Sequence, residues 1–271
     1  MGLGTEQLDY LRAMSVDVIP RGAEVPPDVL DRFIFPRDTV AEFGGGTGDK
    51  AFDIARRGVD VTVFEVNRKA VEAARGLGLL AYVADVSDLA AIRKGNSPVK
   101  THQYNVIVAE GLLCNLMKTA FENTLIVARN ALKPGGRFLI ADVQTAEEIN
   151  PLLLDTFGAG AYHTWQKDWI ARYRANHEAG LPNHHFLVCA PGTHKDIEWG
   201  DASVIRRLRE SGQYERYARH IPVRQLQSNL YALGFEERYR VDAVWTSRTG
   251  AKLAGFVGVW EVASVPPLRR N

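Results

Sequence analysis

The sequence predicts an α/β protein: a seven-stranded, mostly parallel sheet with helices on both faces, plus a mainly helical cap insert. Three observations predict it. Short apolar runs alternate with helix-like segments through the first half, the pattern of βαβ units around a parallel sheet. Those runs are apolar almost without interruption, as strands covered by helices on both faces must be. The rhythm then breaks after the fifth run and returns only near residue 223, which leaves residues 144–221 as an insert.

Taken in order, strands are expected at Thr39–Phe43, Val61–Glu65, Leu79–Ala84, Asn105–Ala109 and Arg137–Val143. Helices are expected between them at Asp49–Arg57, Lys69–Arg75 and Lys118–Leu132, the last stopped by Lys133-Pro134-Gly135-Gly136 because Pro and Gly cannot continue it. A helix at Val223–Leu233 and strands at Arg238–Trp245 and Gly255–Val262 complete the pattern. Residues 1–37 read as an N-terminal helical segment, with helices at Glu6–Ala13 and Pro27–Phe33, packed over the pocket. Asp28 and Asp31 suit the positive end of the second of these helices. The organisation is therefore 1–37, a ligand-binding core at 38–143, the cap at 144–221, the rest of the core sheet at 222–264 and a frayed tail at 265–271.

Composition narrows the function. Of 271 residues, 46% are hydrophobic and 24% charged, enough apolar residues for a sizeable core. Thirty-three Lys and Arg against 32 Asp and Glu leave a net charge of +1, which gives no field to attract nucleic acid or an anionic membrane. No stretch approaches the roughly 18 apolar residues of a membrane span, and no leader pattern stands at the N-terminus, so a cytoplasmic protein without membrane association is expected. The two cysteines, Cys114 and Cys189, are too few for a disulfide framework and are expected as reduced, buried thiols.

The chemistry concentrates in the turn Glu42-Phe43-Gly44-Gly45-Gly46-Thr47-Gly48 between the first strand and its helix. Glycines let the backbone reverse sharply and approach a ligand, and the helix start offers unpaired N–H groups. A dinucleotide fingerprint would place its third glycine where Asp49 stands, and that carboxylate would repel a pyrophosphate. A P-loop would end in Gly-Lys-Ser/Thr, whereas this chain reads Asp49-Lys50-Ala51. Open parallel sheets bind ligands at the carboxyl ends of their strands, so Glu42, Glu65, Asp85 and Glu110 should converge on one crevice. Four acids suit a cation without phosphates. Glu65, nineteen positions after Gly46, stands where an acid accepts both hydroxyls of a ribose.

At this point the chain resembles the class I S-adenosylmethionine (SAM)-dependent methyltransferases. The resemblance runs from Val40-Ala41-Glu42-Phe43-Gly44-Gly45-Gly46-Thr47-Gly48 to Leu132-Lys133-Pro134-Gly135-Gly136-Arg137-Phe138, and more weakly covers 223–262. It implies a Rossmann-like sheet, SAM as cofactor and S-adenosylhomocysteine as product. It implies further that Glu42, Gly44, Gly45 and Gly46 cradle the methionine part, that Glu65 with Val66 binds the ribose, and that Asp85 with Val86 meets the adenine. Glu110 would lie beside the sulfonium and the substrate. Many members carry Cys or Ala in place of Gly45, a change expected to add slack.

The insert holds His163, His177, His184, His185 and His194, and Trp165, Trp169 and Trp199. Phe157, Tyr162, Trp165, Trp169 and Tyr173 recur at helical intervals, which fits packing as well as a ligand box. His184 and His185 are adjacent, so on an extended segment they point to opposite faces and share no metal easily; no metal site is expected. His185–Ala190 and Lys195–Trp199 flank Pro191-Gly192-Thr193 and are expected to form a hairpin. Arg206, Arg207, Arg209, Arg216 and Arg219 read as a solvated helical face.

Methyl transfer from a sulfonium is an in-line displacement in which the protein aligns reactants and excludes water. If the acceptor must lose a proton, His163 is the first candidate base, with Tyr162 and Glu110 next, to position a substrate or hold an amine. The favoured activity is methylation of O or N on a small, aromatic or amine-bearing metabolite. After the fourth strand the chain reads Ala109-Glu110-Gly111-Leu112-Leu113, without the Asn/Asp-Pro-Pro-Tyr/Phe run of many base-amine methyltransferases, which argues against a nucleic-acid target. The alternatives are a SAM-binding sensor without transfer, a protein methyltransferase and a nicotinamide oxidoreductase. Composition is silent on oligomeric state.

Overall fold

A computed structural model describes residues 23–189, 201–212, 214–246 and 252–264. Seven strands form the main sheet: β1 (Thr39–Phe43), β2 (Asp60–Glu65), β3 (Leu80–Val83), β4 (Tyr104–Glu110), β5 (Leu132–Val143), β8 (Phe235–Thr246) and β9 (Lys252–Val262). Their order is β3-β2-β1-β4-β5-β9-β8, parallel from β3 to β5, with β9 antiparallel to both β5 and β8. Val40 stands level with Val61 on one side and Val106 on the other, and Phe138 with Trp260.

Alternate residues of these strands feed two separate apolar layers, as the two-residue period of a strand requires. Ala41, Phe43, Ile107, Ala109, Phe138 and Ile140 pack on one face against helices α4 (Leu89–Arg93), α5 (Lys118–Ala131) and α9 (Val223–Ala232). Val40, Val63, Val106, Val108, Leu139 and Ala141 pack on the other against α1 (Pro27–Phe33), α2 (Asp49–Ala55) and α3 (Arg68–Gly76). The expected seven-stranded, doubly covered sheet is thus the observed one. Arg137 ties α1 to β5, with 2.8 Å from its Nη2 to Asp38 and 2.6 Å from its Nη1 to the Phe33 carbonyl.

The elements start and stop for local reasons. Pro at the first turn with Asp28 beside it starts α1, as expected. Asn67 caps α3 by accepting from the N–H groups of Lys69 and Ala70. Asn67→Ala is expected to lower stability by about 1 kcal/mol, the usual value of a lost N-cap; a urea titration with unchanged midpoint would refute it.

Several boundaries differ by one to three residues, and one differs in kind. Helix α5 ends at Ala131 and β5 begins at once with Leu132, so Lys133-Pro134-Gly135-Gly136 lies inside the strand rather than before it. The run is accommodated as an irregular start, with the β4–β5 register shifting between Tyr104 and Val106 and Gly135 at φ +72°. Pro and Gly break the ladder locally without ending the strand.

The described residues of 144–221 carry three helices, α6 (Pro151–Phe157), α7 (Ala159–Glu178) and α8 (Ala202–Glu210), and a small sheet of β6 (His185–Cys189) and β7 (Tyr214–Arg219). Strand β6 pairs antiparallel with β7; its expected hairpin partner was Lys195–Trp199. That segment lies outside the described residues, as do Glu6–Ala13 and the tail. The arginines do not form one helical face either. Arg206, Arg207 and Arg209 are on α8, whereas Arg216 and Arg219 are on β7, and Arg219 is buried. A strand at that point follows from its pairing with β6, which no local periodicity announces. Tyr162, Trp169 and Tyr173 are buried. Among the described residues no helix is long and apolar enough to cross a membrane.

Candidate active site

The glycine turn is held open by its own backbone. Gly44 N–H donates to the Phe64 carbonyl at 2.8 Å and Gly48 N–H to the Gly45 carbonyl at 2.9 Å. Gly44, Gly46 and Gly48 have φ of +69°, +52° and +82°, the left-handed region that side chains rarely enter. A Cβ on Gly44 would stand 2.8 Å from Leu112 Cδ1, and one on Gly45 2.7 Å from Glu42 Oε2. At Gly46 the same position is open, with no atom within 4 Å. Gly45 therefore adds no slack, contrary to expectation: the room a side chain would take is filled by the Glu42 carboxyl and by Val63.

Three of the four acids gather here. Glu42 is buried near the end of β1, and among the described residues its Oε2 has no hydrogen-bond partner. Burial holds its pKa well above the usual carboxylate value, and the Glu110 charge adds to this while Lys50 opposes it. Glu65 closes β2 and accepts from Gly46 N–H at 3.1 Å and Asn67 N–H at 2.8 Å, which fixes its carboxyl across the mouth of the turn. Its pKa is also raised by burial. Glu110 ends β4 and accepts from Val25 N–H at 2.6 Å, with Lys50 Nζ at 3.5 Å; burial lifts it to about 7 against the pull of Lys50.

The fourth acid is fixed by local bonds. Asp85, in the turn after β3, accepts from Ser87 N–H and Oγ at 2.8 and 2.7 Å, and its neighbour Val86 is buried in the core. Val66, next to Glu65, is partly buried against the same core.

Tyr162 and His163 are not in this group. Tyr162 packs with Leu153 and Ala254, and its hydroxyl accepts from Asn150 N–H at 2.9 Å. His163, next to it on α7, is exposed. The helical stripe to which Tyr162 belongs serves packing: Tyr162 against Trp165, and Trp169 against Tyr173.

Two participants escaped the sequence reading. Lys50, in the first turn of α2, bonds to the Val25 carbonyl at 3.3 Å and pairs with Glu24 at 3.5 Å, so the segment before α1 is tied over the acids. Asp142 lies fully buried in β5, where its Oδ2 accepts from Cys114 N–H at 3.2 Å and burial raises it to about 6. An acid inside Leu139-Ile140-Ala141-Asp142-Val143 was the available signal; Lys50 had none. Cys114 is a buried thiol outside any disulfide, as expected, and donates to the Gly111 carbonyl at 3.3 Å.

A cleft that crowds carboxyl groups, leaves one oxygen unsatisfied and raises the pKa of each is short of positive charge. SAM carries a sulfonium and an ammonium and no phosphate, and it fits this donor set. Comparison with known proteins agrees. Residues 21–236 match the family model described as "Methyltransferase domain". The chain belongs to the methyltransferase-domain family. With its seven-stranded sheet it is a class I SAM-dependent methyltransferase, and SAM is its cofactor.

Solved structures share the methyltransferase's fold at low identity. A SAM-dependent methyltransferase from Methanosarcina mazei is 17% identical over 89% of this chain and 99% of its own, with a TM-score of 0.65. The 1,6-didemethyltoxoflavin-N1-methyltransferase of Burkholderia thailandensis, solved with 1,6-didemethyltoxoflavin and S-adenosylhomocysteine, is 14% identical over 90% and 77%, with a TM-score of 0.51. The [4+2]-cyclase SpnF is 13% identical over 88% and 80%, also at 0.51. A search of curated proteins finds no match.

Proposed function

We propose that this methyltransferase transfers the methyl group of SAM to an oxygen or nitrogen of a small-molecule acceptor, and that residues 144–221 form the cap over that acceptor. The observation that carries the reading is the buried Glu42 carboxyl, one oxygen of which is unpaired among the described residues, beside Glu65 and Glu110 at the glycine turn. In this reading Gly44, Gly45 and Gly46 present backbone to the methionine part of SAM, with Glu42 and Glu110 facing its positive charge. Glu65, already aligned by Gly46 and Asn67, takes the ribose hydroxyls, Val66 adjoins it, and Asp85 with Val86 takes the adenine. Bound SAM supplies an activated methyl group. The chain contributes alignment, exclusion of water and charge complementarity.

The near-zero net charge supports a small acceptor over nucleic acid, and so does a small-molecule methylating neighbour of the same fold. Glu110, with a pKa lifted to about 7, is the group in the crevice best suited to hold an amine or take a proton near neutral pH. We do not extend a base role to His163 or Tyr162, whose surroundings are solvent and packed side chains respectively. The domain limits follow the same reading: 1–37 over the pocket, core at 38–143 and 222–264, and a tail at 265–271.

The test is incubation with SAM and a cell extract split by ultrafiltration, with S-adenosylhomocysteine as the readout. Product from the low-molecular-mass fraction is expected. Product from the macromolecular fraction alone would move the acceptor to protein or nucleic acid, and tight SAM binding without product from either would leave a sensor.

A further inference from the structure

The guanidinium of Arg219, at the end of β7, is a buried charge with no counter-ion in bonding contact among the described residues. The residue is 6% exposed. Its Nη2 reaches Gln225 Oε1 at 3.4 Å, and its Cζ lies 4.2 Å from the centre of the Phe121 ring. Nε and Nη1 have no hydrogen-bond acceptor among the described residues. Asp142 and Glu122 act on it through their charges, but neither is among its hydrogen-bond partners. A ring face offsets part of the cost of burying a cation, yet two unpaired donors on a buried charge remain expensive unless something else completes them.

The position indicates what that is. Ile221, two residues on, donates its N–H to the Val143 carbonyl at 3.0 Å and accepts from Thr145 N–H at 3.0 Å, which docks the end of β7 to the carboxyl end of β5. Strand β7 also packs against the short turn Leu113–Asn115 that follows β4. The residue before that turn, Leu112, is the one that touches Gly44. The end of β7 therefore lies beside the loop after β4, on the sheet edge where open α/β folds take ligands.

Its cross-strand partner is His185, so the two side chains stand on the same face of the β6–β7 pair. His185 is buried, and its Nδ1 lies 3.2 Å from the Asn183 carbonyl. A carbonyl only accepts, so Nδ1 carries the proton and Nε2 is a bare acceptor. That Nε2 is buried and finds no donor among the described residues. Burial and the Arg219 charge both hold His185 neutral. A cation lacking an acceptor thus stands opposite a neutral ring lacking a donor.

We propose that Arg219 and His185 form the acceptor-binding subsite, and that the methyl acceptor carries an anionic oxygen group, carboxylate or phosphate, next to a hydroxyl or amine. The anionic group pairs with Arg219 and the adjacent O–H or N–H donates to His185 Nε2. This rests on the small-molecule reading above and supplies the substrate class that reading leaves open.

The test uses the full chain labelled with 15N-arginine, with the Arg219 Nε–H resonance assigned by its loss in Arg219→Lys. Four probes are titrated without SAM: salicylate, benzoate, salicylamide and inorganic phosphate. A saturable shift with salicylate is expected, weakened about 10- to 100-fold for the neutral salicylamide, the factor a charged hydrogen bond commands. His185→Phe should bring salicylate down to the affinity of benzoate while sparing benzoate itself. A response to phosphate stronger than to benzoate assigns the anionic group as a phosphate. Absence of a saturable shift with any anion, or equal binding of salicylate and salicylamide, overturns the proposal. SAM affinity is measured separately by calorimetry, so a failure here with SAM binding intact counts against the subsite alone.

Discussion

Glu65→Ala is expected to weaken SAM binding by about 10- to 100-fold, or 1–3 kcal/mol, the value of a hydrogen bond to a charged group. The carboxyl is built in advance for this role. Gly46 N–H and Asn67 N–H hold it in place at the end of β2, so little side-chain freedom remains to be lost when a ribose docks. The cost to the fold should be small, about 1 kcal/mol or less: two half-buried N–H groups lose an acceptor, but a carboxylate whose charge burial disfavours is also removed. Calorimetric titration of SAM alongside thermal unfolding of the unliganded protein separates the two effects. An affinity within twofold of wild type would take the ribose from Glu65, and a large fall in Tm would mean that its role is structural.

The second large effect is on the pH dependence of SAM affinity. Glu110 is lifted to about 7, first by burial, with Lys50 and the Val25 N–H pulling the other way and Glu24 adding to the lift. Glu42 is raised as well. A cation binds the ionised carboxylates, so binding expels a proton wherever an acid is still protonated in the free enzyme. Affinity must then rise with pH up to the free-enzyme pKa and level off above it. Between pH 6 and 8 an increase of up to about tenfold is expected from one released proton. Glu110→Gln should flatten the profile, and calorimetry in two buffers of different ionisation enthalpy should show proton release near pH 7. A flat wild-type profile from pH 6 to 8 would exclude Glu110 from contact with the positive charge.

Affinity is the right observable because stability responds to pH from two sides. The acids have folded pKa values above their unfolded ones, so they destabilise as pH rises through that window. His185 and His220, lowered by burial to about 4 and about 3, do the reverse and withdraw stability as pH falls below about 6.5. The two slopes overlap between about pH 4.5 and 6.5 and partly cancel.

How much of this could be read from residue order depends on how local each signal is. Strands β1, β4 and most of β5 were legible because double burial writes a continuous apolar run, and β1 matches residue for residue; β3, at the sheet edge with three of its four residues exposed, was legible from its apolar residues alone. Glu42, Glu65 and Glu110 were legible because each stands at or next to the end of such a run, and in a parallel sheet those ends share one edge. His163 was chosen for its chemistry from a helix whose apolar stripe could not say which residue faces solvent, and it is exposed. Arg219 read as part of a charged surface because β7 is a strand only by virtue of β6, a partner about thirty residues away in sequence.

The sequence by itself determined the α/β class, the parallel core, the glycine turn and the sign of the charge it would accept. All of these rest on contacts within one βαβ unit or on the carboxyl-end rule. Only the tertiary structure decided that the Glu42 carboxyl occupies the space beside Gly45, and that Lys50 and Val25 lie over Glu110. It alone buries Arg219 against Phe121 opposite His185. Those are long-range contacts between segments whose local patterns are unremarkable on their own, and burial by distant chain sets both their geometry and their pKa values.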